Sequence, residues 1–524
     1  MSKNKQILIF SGVGIAVLGG VAALLMLTAP AGTQKELTAE EKLLGITEQT
    51  EDNGGEPDVK ETVPLTLSQK EEADVKSVEV TAAGETYTIT DSGKTGDDGS
   101  IIWTIADIAK APLLTDSIKA AVSGAASFSA KEFAEEVTDS SMLAKYGLDN
   151  PKGIVKTTFK DGTVFTFKLG NDVPNSTTTV YITTDDKKVY TAAKTAAGAF
   201  PANKFGFVDL KVFHDYENSS GEEVLKMTIE RADLEKPLII EAISPENEDD
   251  ILVYSYRLAS PYTAYADLTD SPTFMYSIFG LSASACEWVG LEERDYEIAG
   301  LNEPNCVVTV ETSEKTYTLT IGKAIATTET DENGNEKQKI TGFYGMSSEV
   351  PDVLYRFDSS SISAMTISPE KLISKLFLMP YIFSLDSIKY SDKDGRSLDV
   401  KIETIKAETE GGEDIRNFYV NGEKVTDSQP IKNLYQYFIS ASGEELSFDE
   451  DKGELLAEIT YTYLNKKEGI NGSDTVRFYS SNGDRKVIIN LNGQNIFKTR
   501  QIYVTQLFKN IDSFFSGGEI VLTY

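Results

Sequence analysis

The chain has 524 residues, and its 50 Lys and Arg against 82 Asp and Glu leave a formal net charge of −32, with one histidine and two cysteines. Such an acidic chain is repelled by phosphate backbones and anionic lipid heads, which disfavours nucleic-acid partners and adhesion to a membrane surface. A single histidine, His214, leaves a Ser-His-Asp or Cys-His hydrolase nothing else to use, and it cannot build a His-rich zinc site.

The first element is an uncharged run. After residues 1–5, "QILIFSGVGIAVLGGVAALLMLT" fills residues 6–28 and is long enough to cross a bilayer as a helix. Lys3 and Lys5 precede it and the next lysine is Lys35, so the N-terminus is expected in the cytoplasm and the bulk of the chain outside a single-pass membrane anchor. The competing reading is a signal peptide cleaved near Ala29-Pro30-Ala31. Both readings export the rest of the chain. Residues 29–72 are acidic and polar, with scattered Gly and Pro, and read as a linker.

The remainder reads as α+β: antiparallel hairpins with packed helices, in repeats spanning 73–215, 216–380 and, more weakly, 381–524. In the first, "KSVEV", "TYTIT" and "SIIWTI" alternate as strands, with Trp103 on the core side, and "TDSIKAAVSGAASFSAKEF" follows as a helix. "YGLDNP" is punctuation. Gly147 takes the left-handed position after a short helix, Leu148 covers its last turn, and Pro151 forbids continuation. Two hairpins follow, "IVKTTFKDGTVFTFKLG" and "TVYITTDDKKVYTAAK".

The second repeat returns the same steps. "DSPTFMYSIFGLSASACEWV" is expected as a helix, Gly300, Leu301 and Pro304 in "AGLNEP" repeat the turn, and "VVTVETSEKTYTLTIG" repeats the hairpin. "SPEKLISKLFLMPYI" is expected to close it as a helix. The third repeat lacks the Gly-Leu-x-x-Pro turn. Cys286 and Cys306 flank the second turn. Export permits a Cys286–Cys306 disulfide, and the alternative is two buried thiols.

The run "YGLDNP…KDGTVFTFKLGN…VYITTDDKKVYTA" resembles the bacterial family catalogued as domain of unknown function 4340, well over Val75–Phe213 and partly in the second repeat. The resemblance implies encoding beside ABC transporter parts of the gliding-motility type, and it carries over no catalytic residues. Acidic pairs such as Glu135-Glu136 and Asp249-Asp250 do not single out a glycosidase pair among 82 acids. "TDENGNEKQ" and "SDKDGRSLD" fail the EF-hand spacing and read as hairpin turns. No catalytic, cofactor or metal residue is nominated. The expectation is a non-enzymatic, membrane-anchored extracytoplasmic protein with a protein partner, an ABC transport complex. The alternative is a cell-envelope glycan- or peptide-binding protein.

Overall fold

Period-two patterning turns into strands because one face of each is apolar: Val78 and Val80, Tyr317, Leu319 and Ile321, and Ile459, Tyr461 and Tyr463 are all essentially buried. Each such aliphatic side chain contributes about 1.5–3 kcal/mol by leaving water. A computed structural model describes residues 64–524 except 198, 218–220, 245–253, 268–269, 331–333, 406–414, 449, 468, 470–471 and 483–484. The anchor expected at 6–28 lies outside the described residues. Among those described, no helix is long and apolar enough to cross a membrane.

The first strands are β1 (Leu65–Gln69), β2 (Val75–Ala82), β3 (Glu85–Thr95), β4 (Ile101–Ile105), β5 (Ser127–Ala130), β6 (Glu132–Glu136), β7 (Gly153–Phe159), β8 (Val164–Asp172), β9 (Thr179–Thr183) and β10 (Lys188–Ala193). They are followed by β11 (Val224–Arg231), β12 (Leu238–Ala242), β13 (Tyr256–Ser260), β14 (Ala264–Tyr265), β15 (Ala285–Val289), β16 (Cys306–Thr312), β17 (Thr316–Thr330), β18 (Glu336–Ser347) and β19 (Val353–Asp358). The last group is β20 (Leu385–Asp392), β21 (Ser397–Ile405), β22 (Ile415–Val420), β23 (Glu423–Lys424), β24 (Glu445–Leu446), β25 (Lys452–Tyr463), β26 (Ser473–Ser481), β27 (Lys486–Leu491) and β28 (Gln494–Arg500).

Three large sheets share one strand order. The first runs β4-β3-β2-β7-β8-β9-β10-β6, the second β14-β13-β12-β11-β16-β17-β18-β19-β15, and the third β23-β22-β21-β20-β25-β26-β27-β28-β24. Apart from the extra edge strands β14 and β23, each sheet is a three-strand meander, a short strand at the far edge, and a four-strand meander between them. β1 and β5 pair as a small separate sheet. The crossover in the first sheet is the helix Thr115–Ala126, which packs on β2, β4 and β7 with Ile118, Ala121, Val122 and Ala125 buried. Its counterparts are the helices Asp270–Met275 and Gln429–Phe438. One hydrophobic cluster runs through all three sheets, from Val75 to Ile511.

The repeated Gly-Leu turn has a mechanical explanation. After the helix Met142–Lys145, Gly147 sits at φ +67°, and the Leu148 N–H bonds back to the Leu143 carbonyl at 3.0 Å. After Glu293–Ala299, Gly300 at φ +69° and the Leu301 N–H to the Tyr296 carbonyl at 2.8 Å repeat it. This is a Schellman closure, which only glycine enters without strain. Leu148 packs with Leu143, Tyr146 and Val189, while Leu301 packs with Ala299 and Leu354. Both small clusters are separate from the main core. The glycines closing the two quoted patterns bear on these turns: a Cβ on Gly170 would stand 2.3 Å from the Tyr146 carbonyl oxygen, and one on Gly322 would stand 2.1 Å from that of Ala299. Pro151 and Pro304 follow at half-buried positions before the next strand.

Four expectations are corrected. The helix expected over 115–133 ends at Ala126, because Ser127–Ala130 is drawn out as β5 against β1 and Glu132–Glu136 as β6 against β10. The helix expected over 270–289 stops at Met275, because Gly280 adopts φ +70° and Ala285–Val289 is drawn out as edge strand β15 against β19. The helix expected from Ser368 is confined to Pro369–Leu372, since Ile373 is already extended and bridges to Ala266. The end of the linker is strand β1, paired with β5.

Alanine substitutions should separate close approach from mere flexibility. Gly322→Ala is expected to lose about 1–3 kcal/mol by pushing on the helix end. Gly124→Ala, in a helix interior with open space at its Cβ, is expected to gain about 0.5–1 kcal/mol. Urea unfolding of both variants measures the two signs in one assay.

Candidate interaction surface

The second sheet carries a long two-stranded extension. Along β17, β16 covers only Thr316–Ile321, and along β18, β19 covers only Gly342–Gly345. Beyond those limits β17 and β18 continue with no other strand partner among the described residues, in a register that sets Ala326 opposite Ile340, Thr328 opposite Gln338 and Thr330 opposite Glu336. The eight residues from Lys323 to Thr330 reach about 26 Å at the usual strand rise. All of them but Ile325 are exposed, as are residues 336–340.

This ribbon is held by β propensity in "KAIATTET" and by cross-strand pairs. The Lys339 ammonium meets Glu329 Oε1 at 2.9 Å, and the Gln338 amide donates to Thr328 Oγ1 at 2.8 Å. An isolated hairpin is marginally stable in water, so the packed ends of β17 and β18 are what support the arm. Its two edges leave backbone N–H and C=O groups open, which is the geometry for strand addition by another chain. Ile340, half exposed, adds an apolar anchor beside them.

The connections between sheets are stitched on both sides. The segment 207–215 bonds back to the first sheet's crossover through the Leu114 N–H to the Phe207 carbonyl and the Asp209 N–H to the Pro112 carbonyl. It bonds forward through the Val212 N–H to the Leu281 carbonyl and through Ser347 Oγ to the Val212 carbonyl. His214 ends this connector. Its Nδ1 lies 3.1 Å from Glu349 Oε2, and its ring packs against Phe279 and Tyr317. Glu349 also takes Lys315 at 2.9 Å. Burial pushes the Glu349 carboxyl up, but the bonds from Lys315 and His214 outweigh it and hold the group below its usual value. Beside it, buried Glu222 accepts from Thr312 Oγ1 at 2.5 Å and from the Tyr317 hydroxyl at 2.9 Å. His214 is a half-exposed partner in a junction network.

Between the second and third sheets, buried Asp474 accepts from the Tyr265 hydroxyl at 2.5 Å, the Tyr463 hydroxyl at 2.8 Å and the Asn492 amide at 2.6 Å. Burial raises its pKa against the pull of those donors. Sequence reasoning missed both buried acids, although a signal existed. Asp474 stands two residues before Val476 and four before Phe478, on the inward side of β26, and Glu222 stands two before inward Val224.

The expected Cys286–Cys306 disulfide is absent. Both are buried free thiols. Cys306 lies on β16 and Cys286 on β15, four places along the sheet, which is about 19 Å at normal strand spacing and far beyond the roughly 7 Å a disulfide spans. Burial pushes the Cys286 thiol up to about 12 and the Cys306 thiol to about 11. Of the turn residues Gly147, Leu148, Pro151, Gly300, Leu301 and Pro304, the two leucines lie in two separate small clusters, so the two turns assemble no common site. Among the described residues, no group of three or more His, Cys, Asp or Glu is placed to hold a metal ion.

Glu349→Gln should test the junction. A carboxyl with a depressed folded pKa contributes stability above the unfolded value, about 4.3, and loses it as pH falls through the folded value. The variant is therefore expected to be less stable by about 1–2 kcal/mol at pH 7, with the gap to the parent closing as pH drops below about 4. Thermal melts of both proteins across that range read the difference.

No curated protein and no solved structure matches the chain. A family model does match, from Trp103 in β4 to residue 253 beyond β12. This is later at both ends than the span from Val75 to Phe213 on which the sequence resemblance rests. The matched stretch takes in the crossover helix, β5 to β10 and the first two strands of the second sheet, about one repeat in a shifted frame. The similarity therefore resides in residues 103–253, and the family to which they are similar is the one described as Domain of unknown function (DUF4340).

Proposed function

We propose that this chain is a non-enzymatic, membrane-anchored extracytoplasmic protein that serves as an accessory or interaction component of an ABC transport system. The observation that carries the interaction part is the ribbon of β17 and β18, exposed on both faces and open along both edges. It stands on a sheet fixed to its neighbours by the stitched connectors, so a partner bound at the arm would be held at a defined position relative to the other two sheets. The apolar run at 6–28 and the acidic stretch after it support a tether. The transporter part rests on the resemblance to the DUF4340 family. In this reading the arm docks by strand addition onto an extracytoplasmic edge of the permease.

The test is site-specific photocrosslinking in native membranes. A benzophenone side chain is placed at Ile340 or Thr328 on the arm and, for comparison, at Val164 in the hairpin of the first sheet, which is also exposed. Ile340 and Thr328 are expected to capture a transporter permease subunit, and Val164 is expected to capture none. Equal labelling from all three positions, or no permease peptide from the arm, removes the docking role.

A further inference from the structure

A cleft of about 590 Å³ lies between the second and third sheets, formed by the turn after β13, the start of the helix Pro369–Leu372, the segment before β25 and the β27–β28 turn. Its deeper wall is apolar: Tyr262 and Pro369 are buried, and Leu234, Pro261 and Phe448 are half-buried. Four charged side chains stand exposed around it, Glu235 and Glu370 against Lys236 and Lys452. None of the four forms an ion pair among the described residues, although the Lys452 ammonium lies 4.8 Å from the Tyr479 ring. In a chain of net charge −32, this is a locally balanced mouth with two cations and two anions uncommitted. One further group is unsatisfied. The Tyr262 hydroxyl is buried and has no hydrogen-bond partner among the described residues, a condition that is rare in native structures.

We infer that this cleft binds a short zwitterionic peptide carrying an apolar side chain. The volume falls within the range of small-molecule pockets. A ligand ammonium meets Glu235 or Glu370, a ligand carboxylate meets Lys236 or Lys452, and the apolar side chain lies on the wall of Leu234, Pro261 and Phe448. A sugar fits less well. Saccharide recognition needs an open aromatic face, whereas the Tyr262 and Phe448 rings are stacked on each other at 3.8 Å and 24° and Tyr262 is only 8% exposed. The Tyr262 hydroxyl acquires its partner when the peptide is bound. This site is distinct from the arm and goes beyond the transport reading, so either can fail without the other.

The test is titration calorimetry on the full-length protein in detergent micelles, with the tripeptide alanyl-leucyl-alanine and its N-acetylated and C-amidated forms. The free tripeptide is expected to bind and each capped form to bind about three- to tenfold more weakly. Glu370→Gln and Lys452→Gln, both at exposed positions, should each weaken the free peptide by a similar factor with an unchanged melting temperature. Tyr262→Phe should weaken it too, while melting no lower than the parent. The inference is overturned if the free and capped forms bind alike, or if the charge variants bind the free peptide as the parent does. It is equally overturned if no heat is seen at millimolar tripeptide while a β-1,4-linked N-acetylglucosamine trimer binds.

Discussion

In the first sheet the third strand lies at one edge and the fourth at the other, so the chain between them has to cross a face, and the other two sheets repeat the pattern around the extra edge strands β14 and β23. That crossing needs a segment long enough to span the central strands and apolar enough to be buried on them. A helix with one apolar face meets both demands, and its backbone bonds are satisfied internally as it passes over the core. The first copy does this with twelve residues, from Thr115 to Ala126. Once the crossing is made, the fifth strand can enter only beside the first, where the sheet still has an open edge, and the following three strands fill the gap towards the fourth. The strand order of the whole unit follows from that single crossing.

Opposite the crossover helix, the first two sheets carry a second, smaller support. A short helix ends on a glycine in the left-handed region, and the strand beyond it contributes a glycine against which the helix end rests. Among the described residues, the third sheet has no helix between β24 and β25. The third copy, which lacks the Gly-Leu-x-x-Pro turn, nevertheless retains the strand order. The junctions between sheets rely on polar groups as well as on the continuous apolar core. Asp474 with its two tyrosines and Asn492 lies at one junction, and Glu349 with His214 and Lys315 lies at the other. Such networks have directional requirements that apolar packing lacks, and they restrict how adjacent sheets can be set against each other.

Local features were legible in the sequence, and non-local ones were not. The hairpins around Asp161-Gly162 and Ser313-Glu314, the inward faces of β8 and β17 and the turns at Gly147 and Gly300 all follow from period two and from glycine stereochemistry within a few residues. The helix expected over 270–289 failed because "SACEWV" is apolar enough to satisfy either period, and a partner strand about 70 residues away decided it. The disulfide expectation failed for a related reason. Closeness in sequence across the Gly300 turn does not translate into closeness in a sheet where three strands are inserted between the two positions. The cleft could not have been read at all, since Leu234, Tyr262, Pro369 and Phe448 are brought together only by the docking of two sheets.

The two buried thiols have a consequence for the chemistry of the folded unit. With pKa values of about 12 and 11, at neutral pH the more acidic of them is a thiolate in only about one molecule in ten thousand. Neither is therefore a ready nucleophile for exchange with small disulfides or oxidising enzymes. The second sheet gains none of its strength from a covalent cross-link, and a reductant has nothing in it to break. Once folded, the sheet keeps both thiols out of reach of its surroundings.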